Sequence, residues 1–224
     1  MARREQKILK PKSKIERRKN KKIIKKQKSK FKFLKNRRKQ MTKKIIIFLT
    51  SLIFLTGAFL NAQTSKTLVV YFSWSGNTRV AAENARRLAG ADIFEITVKN
   101  PYPSDYRQCL DQARDEQRRN FLPELNNGRV NNLSQYDNII VAFPNWWGTY
   151  PQAVKKFLID NSDISSKKIA LLCTHGGSRL GRSVNDLRAL YPSANILEGL
   201  AISGGSVRSS ENDIRNWLTR IGIL

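Results

Sequence analysis

The stretch LVVYFSWSGNT, residues 68–78, decides the fold because it joins a buried strand to the start of a helix. Leu68–Phe72 is a continuous apolar run, which is typical of a strand covered on both faces. Ser73–Thr78 is polar apart from Trp74 and contains one glycine. From Thr78 to Leu88 the apolar residues recur three to four positions apart, which indicates one helix face packed on a sheet. A strand, a polar loop and a helix in this order predict a βαβ unit.

The same alternation continues to the C-terminus. The predicted strands are Leu68–Phe72, Ile93–Val98, Asn138–Phe143, Lys168–Cys173 and Ile196–Leu200. The predicted helices are Thr78–Leu88, Ser104–Asn120, Pro151–Asn161, Gly181–Leu190 and Glu211–Ile221. The pattern therefore predicts a single α/β domain over residues 67–224, with a doubly wound, five-stranded parallel sheet.

Most of the positive charge lies outside this predicted domain. Residues 1–44 hold 22 of the 42 lysine and arginine residues and two of the 17 acidic residues, so the remainder has 20 basic against 15 acidic side chains. The net charge of +25 thus gives no reason to expect the folded domain to bind nucleic acid. Residues 1–40 have three interpretations: an unstructured basic tail, an arm that binds nucleic acid or anionic lipid, or upstream sequence if translation starts at Met41.

Residues 41–62 have the form of a signal peptide. A short basic start, Met41–Lys44, precedes 16 uncharged residues, Ile45–Leu60, and then Asn61 and Ala62. The apolar run is short for a membrane-spanning helix, which needs about 20 residues. We expect export, with cleavage near Ala62 and a periplasmic location. The alternative is an uncleaved anchor, which would be the only contact of this chain with a membrane.

The loop after the first strand has the residues expected of a phosphate site. Ser73, Ser75 and Thr78 offer hydroxyls, Asn77 offers an amide, and Gly76 allows a tight backbone turn. The helix that follows adds unpaired amides and the positive end of its dipole. The same residues also favour an ordinary helix cap, but their density after a buried strand favours phosphate binding.

The loop after the third strand, Pro144–Pro151, is rich in aromatic side chains. It contains Trp146, Trp147 and Tyr150, a flat surface that is costly to expose unless a planar group covers it. One of the two tryptophans is expected to belong to the core, but the spacing does not say which. A planar heteroaromatic ligand is therefore expected beside this loop.

The loop after the fourth strand is less specific. Gly176 and Gly177 permit close approach of the backbone to a ligand, and Thr174 and His175 can form hydrogen bonds. His175 is the only histidine of the chain, so it has no second histidine for a metal site, and no nucleophile motif accompanies it. We therefore assign neither a metal ligand nor a catalytic residue.

The chain has two cysteines, Cys109 and Cys173. Export would permit one disulfide between them. Cys173 ends an apolar strand, where a free cysteine commonly packs as a small apolar side chain. Both states remain open from the sequence.

The motifs YFSWSGNTRVAA, PNWWGTYPQAV and LLCTHGGSRLGRS resemble those of the flavodoxin-like family, in its branch of short and often exported bacterial proteins. The resemblance covers residues 67–224. It implies a flavodoxin-like sheet of order 2-1-3-4-5, for which flavodoxin is the general example, with FMN bound at the switch point.

The resemblance also implies the roles of particular residues. Those expected to bind the FMN phosphate are Ser73, Ser75, Gly76, Asn77 and Thr78. Those expected to line the flavin ring are Asn145, Trp146, Trp147 and Gly148 on one side, and Thr174, His175 and Gly176 on the other. A backbone carbonyl near Gly148 is a hypothetical partner for the ring nitrogen that is protonated on one-electron reduction.

Three functions follow as hypotheses. The first is an FMN-binding electron-transfer protein with a redox partner protein or a small-molecule acceptor. The second is an FMN-dependent NAD(P)H:quinone-type reductase, and the third is a non-redox module that binds another phosphorylated planar ligand. Electron-carrier flavodoxins are strongly acidic, whereas this domain carries about +5 from its 20 basic and 15 acidic residues. Ordinary carrier partners are therefore in doubt.

Overall fold

The computed structural model describes residue 22, residues 25–41 and residues 65–224. Residues 25–41 are helical and exposed. Lysine, arginine and glutamine, which are frequent there, are good helix formers. The three interpretations of residues 1–40 stay predictions. The predicted signal segment from residue 42 onward lies outside the described residues, so cleavage, anchoring and the start at Met41 stay predictions. Of the helices in the described part, none has the length and apolar character to span a membrane.

Residues 65–224 form a parallel sheet with helices on both faces. The strands are β1 (Thr67–Tyr71), β2 (Asp92–Glu95), β3 (Asn138–Pro144), β4 (Lys168–His175), β5 (Asn195–Ile196) and β6 (Leu200–Ser203). The helices are α1 (Asn77–Ala89), α2 (Tyr106–Arg119), α3 (Gln152–Asp160), α4 (Ser183–Leu190) and α5 (Glu211–Arg220). The order is β2-β1-β3-β4-β5, with β6 also paired to β4, and every pairing is parallel. The predicted flavodoxin-like α/β fold of order 2-1-3-4-5 is confirmed.

Side chains of the central strands alternate between two cores. Leu68, Val70 and Phe72 lie in the core that includes Cys109 of α2 and Phe157 of α3. Val69 and Tyr71 lie in the opposite core, with the alanines of α1 and Trp217 of α5. Because both faces are covered, these strands have no polar face, and the continuous apolar runs in the sequence follow from that.

The fifth strand differs from its prediction. The chain forms two short strands, Asn195–Ile196 and Leu200–Ser203, instead of one strand over Ile196–Leu200. Ile196 pairs with Ile169 and Leu200 pairs with Leu172, so this strand has one residue more than β4 between the two pairings. An extra residue cannot join the ladder, and the chain bulges at that point. The strand therefore resumes later and reaches three residues beyond the predicted end.

The second strand is shorter than predicted. It covers Asp92–Glu95 instead of Ile93–Val98. As an edge strand, β2 pairs only with β1, which ends at Tyr71. The last contact is from Ile96 N to Tyr71 O at 2.7 Å, after which Val98 pairs with Leu125 instead.

The predicted helices all exist, and no end differs from its prediction by more than two residues. Both α2 and α4 begin two residues later than predicted, at Tyr106 instead of Ser104 and at Ser183 instead of Gly181. Gly181 has a φ of +54°, a left-handed conformation that cannot belong to an α-helix. Gly90, at a φ of +57°, ends α1 as expected for a C-terminal glycine.

Both cysteines are free and buried. Burial raises the pKa of Cys173 to about 12. Burial, with a smaller contribution from Glu116, raises that of Cys109 to about 11. Both residues lie in the core that contains Phe157. Of the two states left open by the sequence, the structure contains packed free thiols and not a disulfide.

Candidate cofactor site at the carboxyl ends of the strands

The N-terminus of α1 is open. Gly76 precedes the helix at a φ of +91° and provides no side-chain cap. Val80 N donates to Gly76 O at 3.1 Å, which is the first hydrogen bond of the helix. The amides of Asn77, Thr78 and Arg79 therefore have no helix carbonyl to bind. The first turn has no acidic residue, so these amides and the helix dipole favour an anion.

The side chains of the first loop divide into two groups. Ser75 and Asn77 are exposed, and Ser73 Oγ accepts a hydrogen bond from Gly76 N at 3.2 Å. Thr78 is buried, and its hydroxyl is hydrogen-bonded to that of Thr174 at 2.7 Å. The Thr78 hydroxyl thus joins two loops, which leaves mainly its amide for a ligand.

Arg79, next to this loop, is held by an acid. Its Nη2 lies 2.6 Å from Glu95 Oε1, and its Nε donates to the Tyr71 hydroxyl at 3.2 Å. Hydrogen bonding to Glu95 is the main cause that raises the pKa of Arg79. With this guanidinium already paired, the backbone amides and the helix dipole provide most of the attraction for an anion.

The second loop contains a tight turn. Trp146 N donates to Thr149 O at 2.8 Å and Thr149 N donates to Trp146 O at 3.2 Å. The two central residues, Trp147 and Gly148, have φ values of +51° and +86°. Positive φ at both positions is the pattern of a type I′ turn. Asn145 supports the turn, since its Oδ1 accepts from Gly148 N at 3.0 Å.

The two tryptophans of this turn have different surroundings. Trp146 packs edge-to-face against Phe72 and Tyr102, with ring centroids 5.5 Å and 4.9 Å away. Trp147 is 42% exposed, and its Nε1 donates to Leu110 O at 3.0 Å. Trp146 is therefore the tryptophan that belongs to the core, and Trp147, with the Arg114 guanidinium 5.5 Å from its ring centroid, is the exposed one.

The third loop begins within β4. Thr174 is buried, His175 is half-buried and Gly176 is exposed. His175 Nδ1 accepts a hydrogen bond from Gly177 N at 3.0 Å, so in the neutral ring the proton lies on Nε2. Burial, and then the charge of Arg179, lowers the pKa of His175. The neutral imidazole is favoured, with Nε2 as its donor.

Hydrogen bonds join the three loops into one site. The Thr78–Thr174 contact links the first loop to the third. Asn145 links the second loop to the third, because its N donates to Thr174 O at 2.8 Å and its Nδ2 donates to Arg179 O at 2.7 Å. The structure thus brings all three predicted loops to one edge of the sheet.

The carbonyl of Gly148 is occupied within the protein. It accepts a hydrogen bond from Arg182 N at 2.8 Å. It also lies 2.2 Å from the position that a Cβ of Gly181 would take. This oxygen faces the start of α4. The hypothesis of a backbone carbonyl near Gly148 beside a flavin nitrogen stays a prediction.

A fourth loop, which the sequence did not indicate, completes this edge. Gly204 follows β6, and a Cβ at this position would lie 3.0 Å from Asn77 Nδ2. The pair Gly204–Gly205 was a possible signal. It was missed because the fifth strand was predicted to end at Leu200, too early to bring these glycines to the carboxyl edge.

A cavity of about 580 Å³ adjoins the first loop on the side of β2. Its apolar lining consists of Phe72, Trp74, Ile96, Val98, Pro101 and Tyr102. Its polar lining consists of Ser73, Ser75, Glu95, Thr97, Ser104 and Asn126. Apart from Ser73 and Ser75, none of the site residues predicted from the sequence lines it.

Comparison with known proteins agrees with this architecture. Residues 66–221 match the flavodoxin family. A protein described as a flavoprotein from Bacteroides eggerthii is 31% identical, with a TM-score of 0.63 over 70% of this chain and 98% of that one. Another so described, from Bacteroides uniformis, is 25% identical, with a TM-score of 0.62 over 70% and 99%. No curated protein matches the sequence.

A flavoprotein from Lactobacillus acidophilus, solved in complex with FMN, shares the fold. It is 24% identical, with a TM-score of 0.53 over 66% of this chain and 99% of that one. The parallel sheet and its loops at the carboxyl edge define the class of flavodoxin-like α/β proteins. By its match over residues 66–221, the chain belongs to the flavodoxin family.

Proposed function

We propose that this protein binds FMN at the N-terminus of α1 and acts as an electron-transfer protein. The observation that carries the proposal is the open helix end. Gly76 leaves the first-turn amides without a cap, and the first turn has no acid to repel a phosphate. The phosphate end of FMN fits these residues, because it would receive backbone hydrogen bonds and the positive end of the dipole.

The ring end of FMN fits the other two loops. Trp147 is partly exposed, and a planar ring could pack on the indole face that Arg114 does not cover. His175, neutral and with Nε2 as its donor, can donate a hydrogen bond to a carbonyl oxygen of the ring. Bound FMN would supply the redox chemistry, and the chain would hold the ring and exclude water from it. The FMN complex of the L. acidophilus relative supports the choice of cofactor.

The test is direct. We would load the purified protein with FMN, remove unbound ligand and record the visible spectrum and flavin fluorescence. One retained equivalent with a shifted spectrum and quenched fluorescence is the expected result. A protein that leaves dialysis without flavin after loading would refute the proposal and favour the module for another phosphorylated ligand.

A reductase is the second candidate, because a cavity beside the first loop has room for a small acceptor. That cavity lies away from the loops that would hold the flavin ring, so an acceptor in it would receive electrons without contact to the ring. Steady-state oxidation of NADPH with a quinone by the FMN-loaded protein would support a reductase. FMN binding without NADPH oxidation would support the carrier, which needs a redox partner protein.

We further propose that the protein is exported, on the strength of the hydrophobic segment at residues 45–60. Edman sequencing of the protein recovered from the periplasm tests this. A mature N-terminus near Gln63 is expected after cleavage. Recovery from the membrane fraction with residues 41–62 intact would favour the anchor, and recovery from the cytoplasm would refute export.

A further inference from the structure

The cavity on the β2 side of the first loop has the size of a ligand site. Its volume of about 580 Å³ lies within the roughly 300–1,000 Å³ of small-molecule sites. Ser73, Trp74 and Ser75 line it, but no residue of the loops after β3 and β4 does. It therefore lies beside the proposed phosphate site, away from the loops that would hold the flavin ring.

The aromatic walls of this cavity present carbon atoms. Trp74 Nε1 donates to Pro103 O at 2.9 Å, and the Tyr102 hydroxyl donates to Glu116 Oε2 at 2.7 Å. Phe72 packs edge-to-face on Tyr102, with ring centroids 5.7 Å apart. Because the polar tips are already hydrogen-bonded, these rings offer apolar faces and edges to a ligand, which favours a flat, apolar body.

The charges of the lining indicate a neutral ligand. Among the described residues that line the cavity there is no lysine, arginine or histidine. Its one charged residue, Glu95, is paired with Arg79 at 2.6 Å. A second phosphate or a carboxylate would therefore enter without a countercharge, and a free cation would compete with Arg79 for Glu95.

Three serine hydroxyls remain available to this cavity. Ser73 Oγ accepts from Gly76 N, so its own proton can be donated elsewhere. The hydroxyls of Ser75 and Ser104 make no hydrogen bond within the part of the chain that the structure describes. A ligand with carbonyl oxygens could accept hydrogen bonds from them.

From these four observations we propose that the cavity binds a neutral, planar, carbonyl-bearing ring of the quinone class, at a site separate from that of FMN. Its role as an electron acceptor rests on the proposed function. Binding of the ring to the cavity does not rest on the proposed function, because the cavity is lined by residues of the protein and needs no bound FMN.

Duroquinone is a suitable probe, because its fully substituted ring cannot add to the thiols of Cys109 and Cys173. Equilibrium dialysis would measure its binding to the full chain, with and without FMN, and FMN uptake would be measured on the same samples. Ser104→Trp fills the cavity from an exposed position. Ser193→Trp is the matched control, since Ser193 is exposed and precedes β5 at the opposite end of the sheet.

We expect one duroquinone per chain in the presence and absence of FMN. Ser104→Trp should lower the affinity for duroquinone by about tenfold or more, and Ser193→Trp should leave that affinity unchanged within about twofold. Equal binding by Ser104→Trp, competition with FMN, or no binding at all would each overturn the proposal. Duroquinone binding without FMN uptake would retain this site and reject the proposed function.

Discussion

The helices α1 and α2 are alike at their C-termini and unlike at their N-termini. Each ends in a left-handed residue, Gly90 or Asn120, after two arginines in the last turn. At the other end, Asp105 caps α2 by accepting from Gln108 N at 2.9 Å. Gly76 of α1 provides no such bond.

The difference separates a helix end that serves the fold from one that can serve a ligand. A carboxylate cap satisfies an amide and neutralises the helix dipole, so α2 has less to offer an anion. The open end of α1 retains both the amides and the dipole. It also lies beside Thr174 and Gly204, where the loops after β4 and β6 meet it. The following variants test whether this contrast is functional.

The largest effect is expected from Asn77→Asp. The two side chains have the same shape, but the acid places a negative charge in the first turn of α1, next to the proposed phosphate. Repulsion at short range should weaken FMN binding by roughly 30- to 100-fold, or about 2 to 3 kcal/mol. The unliganded protein should be equally or slightly more stable, because the acid favours the helix dipole.

The measurement is an FMN titration followed by flavin fluorescence, with thermal unfolding of the unliganded protein. Gln108→Glu is the control, since it makes the same chemical change in the first turn of α2. It should leave FMN affinity unchanged. Equal affinity of Asn77→Asp and the natural protein would show that the phosphate does not bind at the open end of α1.

An intermediate effect is expected from Gly76→Ala. A Cβ at Gly76 would meet no atom within 4 Å, so the cost arises from its φ of +91° alone. This strain should lower the free energy of unfolding by about 1 to 2 kcal/mol, measured by chemical denaturation. Gly176→Ala is the matched control, because it also has open space but no positive φ. Equal losses in both variants would contradict a conformational role for Gly76.

The smallest effect is expected from Asp105→Ala. Removal of this cap leaves Gln108 N without its partner and should lower the free energy of unfolding by about 1 kcal/mol. FMN affinity should not change, because the cap lies on the helix without an open end. A large fall in FMN affinity, seen in the same titration, would mean that the two helix ends are not independent.

Prediction of the fold succeeded where the local pattern and the burial agreed. Val69 and Val70 are apolar neighbours because each faces a separate core, and the sequence shows this directly. The end of the fifth strand was predicted wrongly. Between the pairings of Ile196 and Leu200 with β4, the segment Leu197–Gly199 contains one residue too many to stay in the ladder. Such a register depends on strand β4, whose paired residues Ile169 and Leu172 lie 27 and 28 positions before Ile196 and Leu200, so it has no local signal.

Reasoning from the sequence reached the positions of the three loops and not the contacts within them. Loops that follow parallel strands meet at one edge, so Ser73, Asn145 and Thr174 were expected there. Which of the two tryptophans is buried and which is exposed depends on the turn at Trp147 and Gly148 and on Tyr102, which follows a different strand. The same holds for Thr78, whose hydroxyl is hydrogen-bonded to that of Thr174, 96 positions away.

The sequence by itself determined the class of fold and the polar, glycine-containing character of the first loop, because strand burial, helix periodicity and the chemistry of Gly76 act over a few neighbouring residues. Only the tertiary structure decided which tryptophan is exposed, which hydroxyls remain free and that a cavity adjoins the first loop. These properties arise from contacts between segments far apart in the chain, such as Tyr102 with Trp146. Local propensity carries no information about which distant partner will satisfy a given side chain.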